Sequence, residues 1–259
     1  MYTSAQQFRK EIDQVVIGFV WEATPHEAPA QIVERNPKLK MLHTIKQFAP
    51  WTPSQAQSYQ KEVIAEYCWV AYSKSLASVG DMVIGRQADL SRQGLYDKVA
   101  ELVRTEVGPL TQEQTQAHDA KFGKVAPNLT LLDEGTHGNL LNQDKWAAPV
   151  NDAWLLGGVH RKAKFRLASP RIMENLWNQN GFLIVTAREI LGLLHFGYEL
   201  QQIGPWQVFV LPPNKSMEAS RATLQEYSRH LQSCNTIAQA EELRDRVALQ
   251  GTKIRYRAR

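Results

Sequence analysis

Two of the seven histidines, His137 and His160, stand where they could transfer protons. The pKa of a free imidazole lies near neutral pH, so a pair of histidines can act as general base and general acid. His137 has a glycine within two residues on either side, which is typical of a turn, and His160 ends the apolar run of residues 153–160. If the two meet, they predict cleavage of RNA through its 2′-hydroxyl without a metal ion.

The segment that follows the second of these histidines is cationic. No acidic residue occurs between positions 152 and 174, whereas Lys162, Lys164 and Arg166 fall in this interval. Cations placed there would stabilise the negative charge that develops on a phosphate. Cations and apolar residues alternate over residues 164–168, which predicts a strand that buries one face and presents Lys164 and Arg166 on the other.

A fourth candidate for substrate binding is Arg188. The neighbouring residues Thr186 and Glu189 have the spacing of a capping box, which predicts a helix start and a structural role for Glu189. A cation in the first helical turn opposes the helix dipole, so Arg188 must have another contact. A buried ion pair and a substrate phosphate both satisfy that requirement, and Glu189 could alternatively serve an ADP-ribosyl-transfer site.

Metal and cofactor motifs are missing from the sequence. The carboxylates between residues 133 and 152 match no calcium or zinc spacing, and neither a CxxC nor an HxxxH arrangement occurs. The glycine patterns of dinucleotide-binding and triphosphate-binding loops do not occur either. We therefore predict no metal and no cofactor, and we expect Cys68 and Cys234 to be buried, reduced thiols.

The distribution of charge favours a polyanionic partner. The chain of 259 residues carries a net charge of +4, and 43% of its residues are hydrophobic. Residues 1–125 hold 14 basic and 14 acidic residues, whereas residues 126–259 hold 16 and 12, so the excess lies in the second half. A solvated basic face is the alternative. No apolar run is long enough to span a membrane and the N-terminal segment lacks a secretory pattern, which predicts a soluble cytoplasmic protein, with export by a signal-independent system left open.

The pattern of apolar residues predicts an α+β fold in which a helical N-terminal region precedes a mixed, mainly antiparallel sheet flanked by helices. The boundary is placed near residues 122–128, giving a helical region 1–125 and a basic α+β domain 126–259. Thr52, Pro53 and Gln55 predict the start of a helix that runs to about residue 78. Gly157 and Gly158 predict a bulge or a close backbone approach within a strand. The other predicted helices cover residues 92–107, 111–123, 170–178, 186–200 and 217–250, the last with a break near Asn235, and the predicted strands cover residues 128–134, 153–160, 164–168, 182–186 and 206–211.

Residues 128–211, with the segments NDAWLLGGVH and TAREILGLLHFGY, resemble uncharacterised bacterial proteins associated with polymorphic toxins and type VI secretion. The resemblance implies a bacterial effector-like protein. Together with the histidines and cations it predicts a toxin-like effector that acts on nucleic acid, by metal-independent RNA cleavage. The alternatives are a non-enzymatic interaction protein (an adaptor, chaperone or immunity partner) and an ADP-ribosyltransferase-type toxin.

Overall fold

The computed structural model describes residues 1–14, 30–78, 80–85, 148–167, 185–203 and 206–234. In chain order, the described helices and strands are α1 (Ala5–Ile12), α2 (Ala30–Arg35), α3 (Pro37–Phe48), α4 (Pro53–Ala77), β1 (Met82–Ile84), α5 (Ala148–His160), β2 (Phe165–Leu167), α6 (Val185–His195), β3 (Glu199–Ile203), β4 (Trp206–Val210), a 3-10 turn (Pro213–Lys215), α7 (Ser216–Ser220) and α8 (Leu224–Ser233). Helices and a four-stranded mixed sheet occur together, which confirms the α+β prediction.

The sheet has the strand order β1-β2-β4-β3. β1 is parallel to β2, with Val83 opposite Arg166, while β2 and β3 both pair with β4 in the antiparallel sense. Since β1 and β2 are parallel, their carboxyl ends lie at the same edge of the sheet. The candidate site lies at this edge.

Helix α4 begins where the sequence predicts. The Thr52 hydroxyl accepts from the Gln55 backbone N–H, and the Gln55 side chain accepts from the Thr52 backbone, so the capping box is complete. Pro53 occupies the first turn, where its missing N–H leaves no hydrogen bond unmade. On the side of α4 that faces α1–α3, Glu62 pairs with Arg9 and Lys38, and Glu66 pairs with Arg35.

The prediction of a strand over residues 153–160 is wrong, because these residues form the second half of α5. All thirteen residues of α5 are buried. A short apolar run is compatible with a buried strand and with a buried helix, and here the helix is formed. Gly157 and Gly158 permit close packing: a Cβ on Gly157 would lie 2.5 Å from the Tyr72 carbonyl oxygen of α4. The predicted close approach therefore exists, but between two helices.

Three further predictions need correction. Val185 and Thr186, predicted to end a strand, begin α6. α6 ends at His195, and residues 199–200, predicted as helical, belong to β3 after a turn at Gly197 with a φ of +86°. The helix predicted from residue 217 is interrupted, because Thr223 caps a separate helix, α8.

The strands predicted at residues 164–168 and 206–211 are confirmed as β2 and β4. The elements predicted at residues 92–107, 111–123, 128–134 and 170–178, the boundary at residues 122–128 and the continuation beyond residue 234 lie outside the described residues.

Candidate acid–base centre

Four polar residues form a buried cluster between α5 and α6. Asn151 and Asp152 occupy the fourth and fifth positions of α5, and Arg188 and Glu189 occupy the same positions of α6. Their exposed fractions are 1%, 0%, 8% and 3%. Charged side chains are almost never buried to this extent unless they are paired, so each one needs a partner. We call these four residues the polar cluster.

Asp152 and Arg188 form an ion pair inside the polar cluster. The Arg188 Nε donates to Asp152 Oδ1 over 3.4 Å, and the Arg188 Nη2 donates to Asp152 Oδ2. Burial raises the pKa of Asp152, and the charge of Arg188 and its hydrogen bonds oppose that shift. Burial acts to lower the pKa of Arg188, but the charge of Asp152 and its hydrogen bonds with Arg188, together with Tyr227, outweigh burial, and the pKa is raised. We therefore take the pair as ionised, with a carboxylate that burial keeps more basic than an exposed one.

Glu189 lies beside this pair in a different protonation state. Its Oε2 accepts a hydrogen bond of 2.9 Å from the backbone N–H of Gly85, the residue that follows β1. Burial raises the pKa of Glu189 to about 8, although the Gly85 N–H and the adjacent Asn151 amide lower it. The carboxyl is therefore predominantly neutral at pH 7. Gly85 itself is partly exposed, whereas Glu189 is 3% exposed.

Three buried side chains of α5 and α6 carry polar atoms that make no hydrogen bond of ordinary geometry. They are both amide atoms of Asn151, the hydroxyl of Thr186 and the indole N–H of Trp154, and all three side chains are at least 99% buried. Buried polar groups without partners are rare in native proteins. The Asn151 amide nonetheless lies close enough to the Glu189 carboxyl to lower its pKa.

The other side of α6 is closed by α8. The Tyr227 hydroxyl donates to the backbone carbonyl of Arg188. The Tyr227 ring lies against Gly192, where a Cβ would overlap it. Arg188 and Glu189 are therefore fixed by α8 on one side and by β1 and α5 on the other.

The predicted capping box at the start of α6 is wrong. Thr186 is the second residue of the helix and its hydroxyl has no hydrogen-bond partner, while Glu189 binds the Gly85 N–H instead of the helix start. Of the two explanations offered for Arg188, the structure shows the buried ion pair. The capping-box prediction gave Glu189 a purely local role, because a four-residue pattern carries no information about its contact with the residue after β1.

His160 is placed in the interior and not at the exposed end of a strand. Its Nε2 lies 2.9 Å from the carbonyl oxygen of Ala222, and its Nδ1 lies 2.7 Å from the Tyr72 hydroxyl. A carbonyl can only accept, so Nε2 carries the proton and, in the neutral ring, Nδ1 accepts from Tyr72. Burial lowers the pKa of His160, which favours this neutral form. Both ring nitrogens are thus engaged within the protein, and His137 lies outside the described residues.

The predicted phosphate-binding cations have different environments. Lys162 and Lys164 are exposed on the turn between α5 and β2, where Lys162 has a φ of +60°. Arg166 is only 2% exposed and its Nε and Nη2 both lie 2.7 Å from Asp81 Oδ2. The prediction that Arg166 projects from an open face is wrong, because β2 lies between β1 and β4 and is covered on both faces.

Within the described ranges, no group of three or more His, Cys, Asp or Glu side chains is arranged to hold a metal ion. In the same part of the chain, none of the helices is both long and apolar enough to cross a membrane. Cys68 and Cys234 are buried and not joined in a disulfide, as predicted. No known protein family, curated protein or solved structure matches the chain.

Proposed function

We propose that this protein is a toxin-like effector enzyme in which Asp152, Arg188 and Glu189 form an acid–base centre. The observation that carries the proposal is the convergence of Asn151, Asp152, Arg188 and Glu189 in one buried cluster at the carboxyl end of β1. Ligands of open sheets with parallel strands bind beyond the carboxyl ends of those strands. The effector class is supported by the resemblance of residues 128–211, and the catalytic residues by the geometry.

Two carboxyl groups in unlike states provide an acid and a base. Glu189 is held neutral by burial and can give up a proton, while Asp152 is kept ionised by Arg188 and can take one. Pairs of titratable groups with divergent environments are the usual basis for assigning acid and base in enzymes. A pKa near the operating pH is also what makes a general acid effective.

Fold stability alone gives little reason for this arrangement. Buried ion pairs contribute little compared with well-packed apolar residues of similar volume, because desolvation offsets the attraction. Burial of the Glu189 carboxyl adds a further desolvation penalty. Strongly perturbed groups of this kind concentrate at functional sites, which supports a catalytic role for Glu189.

The RNA-cleavage hypothesis based on His137 and His160 stays a prediction. The environment of His160 gives it no support, since its ring nitrogens are occupied by Tyr72 and Ala222. The exposed Lys162 and Lys164 favour, as a second candidate, nucleic-acid contact through the turn before β2. An interaction protein is favoured by another observation: Met41 and Phe48 of α3 are 52% and 84% exposed and lie seven residues apart, on one face of the helix.

Induced expression in bacteria of the wild type, Glu189→Gln and Glu199→Gln tests the proposed function. Glutamine keeps an acceptor for the Gly85 N–H but cannot donate a catalytic proton. Glu199 is an exposed glutamate of β3, so its variant is a control for the same substitution. We expect growth inhibition by the wild type and Glu199→Gln and its loss in Glu189→Gln, with equal circular dichroism spectra. Equal inhibition by all three proteins, or none by the wild type, would contradict the proposal.

A further inference from the structure

A cavity of about 360 Å³ opens between α1 and the residues that join α7 to α8, and we call it the α1–α8 cavity. Its volume lies within the range of about 300–1,000 Å³ that is common for small-molecule sites. The polar cluster does not contribute to its lining, so the cavity is a separate feature of the fold. The lining includes Gln7, Lys10 and Glu11 of α1 on one side, and Arg221 and Thr223 on the other.

The walls of the α1–α8 cavity are anchored to the core. The Tyr2 hydroxyl accepts a hydrogen bond of 2.6 Å from the backbone N–H of Leu224, and the Tyr2 backbone N–H donates to the Tyr72 hydroxyl over 3.2 Å. On the opposite wall, the Ala222 carbonyl accepts from Nε2 of His160. The cavity is therefore preformed, and a ligand would not have to order its walls.

Glu11, the acidic residue of the lining, is already engaged by the protein. Its Oε2 accepts hydrogen bonds of 2.8 Å from the Tyr2 hydroxyl and from the backbone N–H of Gln225 in the first turn of α8. A carboxylate in this position also interacts favourably with the positive end of the helix dipole. Helix α8 therefore offsets the Glu11 charge, and the cations of the lining are not needed to do so.

Lys10 and Arg221 are the cations of the lining, and both are exposed. Among the residues that the structure describes, neither side chain has an ion-pair or hydrogen-bond partner. Like charges that share one cavity repel each other, and an anion placed between them removes that repulsion. Clefts lined by charge of one sign also concentrate ions of the opposite sign. The two cations thus favour an anionic ligand.

Two uncharged side chains of the lining add hydrogen-bond donors. Gln7 Oε1 accepts from the backbone N–H and the hydroxyl of Thr3, at 2.5 and 3.2 Å, which leaves the amide NH₂ group of Gln7 to donate. The Thr223 hydroxyl accepts from the Glu226 backbone N–H over 3.1 Å and keeps its own hydrogen for donation. The lining therefore offers mainly donors, which fits a ligand rich in acceptor oxygens.

We infer that the α1–α8 cavity binds the phosphate monoester of a small organic molecule. A phosphate monoester carries a charge of about −1.5 to −2 at pH 7 and has three strong acceptor oxygens, so it matches two cations and the additional donors. The planar guanidinium of Arg221 suits two of these oxygens, and the Lys10 ammonium supplies a second positive charge. A carboxylate, with one charge and two oxygens, would leave part of these donors unused. The rest of the cavity volume accommodates the organic group, and nothing in this inference depends on the acid–base centre.

Isothermal titration calorimetry of the full chain with phenyl phosphate tests this inference, with inorganic phosphate and benzoate as comparison ligands. The wild type should bind phenyl phosphate more tightly than either, because benzoate has a single charge and inorganic phosphate has no organic group. Arg221→Gln and Lys10→Gln should each weaken the binding of phenyl phosphate by at least about tenfold, since each variant loses a charged hydrogen bond. Arg229→Gln removes the same charge from an exposed position of α8 outside the cavity and should bind as the wild type does.

Equal losses of affinity in Arg221→Gln and Arg229→Gln would mean attraction by net charge and would overturn the inference. Benzoate or inorganic phosphate that binds as tightly as phenyl phosphate would overturn it too, and so would the absence of phenyl phosphate binding at millimolar concentration. Binding of phosphatidic acid vesicles without binding of phenyl phosphate would place the phosphate on a lipid surface and refute a small-molecule ligand. Because both substituted side chains are exposed, the variants should keep the circular dichroism spectrum of the wild type, and Lys10→Gln decides alone if Arg221→Gln does not fold.

Discussion

Gly85 donates its backbone N–H to Oε2 of Glu189 over 2.9 Å, and this bond joins the end of β1 to the first turns of α6 across 104 positions of sequence. Gly85 is partly exposed and directly follows β1, at the edge of the sheet where β1 and β2 both end. A carboxyl in this position is 3% exposed, and its burial keeps it predominantly neutral at pH 7.

Glu189 should make the protein less stable as the pH rises. Its pKa is about 8 in the folded chain and 4.5 for an ordinary glutamate, so between these values the folded state holds a proton that the unfolded state has released. The free energy of unfolding therefore falls with rising pH in this window, by up to about 1.4 kcal/mol per pH unit for one proton. Urea unfolding at pH 5, 6.5 and 8 measures this slope.

Glutamine at position 189 cannot ionise. The free energy of unfolding of Glu189→Gln should therefore change less with pH than that of the wild type, and exceed it at pH 8. Glu199→Gln, on the exposed face of β3, should retain the wild-type slope. Parallel profiles for the wild type and Glu189→Gln would show that Glu189 titrates as an ordinary glutamate.

Removal of Arg188 should destabilise the fold strongly. The Arg188→Met variant leaves the fully buried Asp152 carboxylate without its partner, and breaking a buried pair in this way costs about 3–5 kcal/mol. The exposed pair Lys215–Glu218 provides the control, since Lys215→Met should change the free energy of unfolding by less than about 1 kcal/mol. Chemical denaturation at pH 6.5 measures the free energy of unfolding of both variants. A similarly small decrease in both would mean that Asp152 is neutral in the folded protein.

His160 should contribute to stability as a neutral group. The pKa of His160 lies below the usual 6.5. As the pH falls below 6.5, the unfolded chain therefore binds a proton that the folded chain does not yet bind, and the free energy of unfolding decreases. The His160→Gln variant should lose about 1–3 kcal/mol at pH 7.5 through its broken hydrogen bonds. The free energy of unfolding of His160→Gln should also decrease less than that of the wild type between pH 7.5 and 5.5. The His43→Gln variant, altered at a half-buried histidine of α3, serves as control, and an identical acid loss in wild type and His160→Gln would contradict the assignment.

Lys162 and Lys164 should account for any affinity for nucleic acid. Each contact with a phosphate of single-stranded RNA contributes about 0.7 to the slope of log affinity against log salt concentration. Replacing both lysines with serine should lower that slope by about 1.4. Replacement of Lys40 and Arg229, which are exposed on α3 and α8, removes the same charge elsewhere and should leave the slope unchanged. Equal effects of the two double variants would indicate attraction by net charge only.

Local patterns predicted the elements whose determinants lie within a few residues. Thr52, Pro53 and Gln55 start α4 because a capping box involves neighbouring residues only. The buried α5 could not be distinguished from a strand, because its apolar run lacks a polar face that would reveal a period. Arg166 seemed exposed because alternation indicates which residues share a face but does not show that a second layer covers it.

The acid–base centre depends on contacts between distant parts of the chain. The partner of Glu189 is a backbone N–H in β1, and the partner of Arg188 is on α5, so neither contact has a local signature. One signal was available in the sequence. Asp152 and the Arg188-Glu189 pair interrupt strongly apolar segments, and charged residues in such positions must be buried with partners.

The ionisation of Glu189 in the folded protein tests the central claim most directly. Carbon-13 NMR of the glutamate side-chain carboxyl, assigned by comparison with Glu189→Gln, follows this group through a pH titration. The account predicts a midpoint near 8, with the carboxyl protonated at pH 6.5. A midpoint near 4.5, with Glu189 fully ionised at pH 6.5, would contradict it.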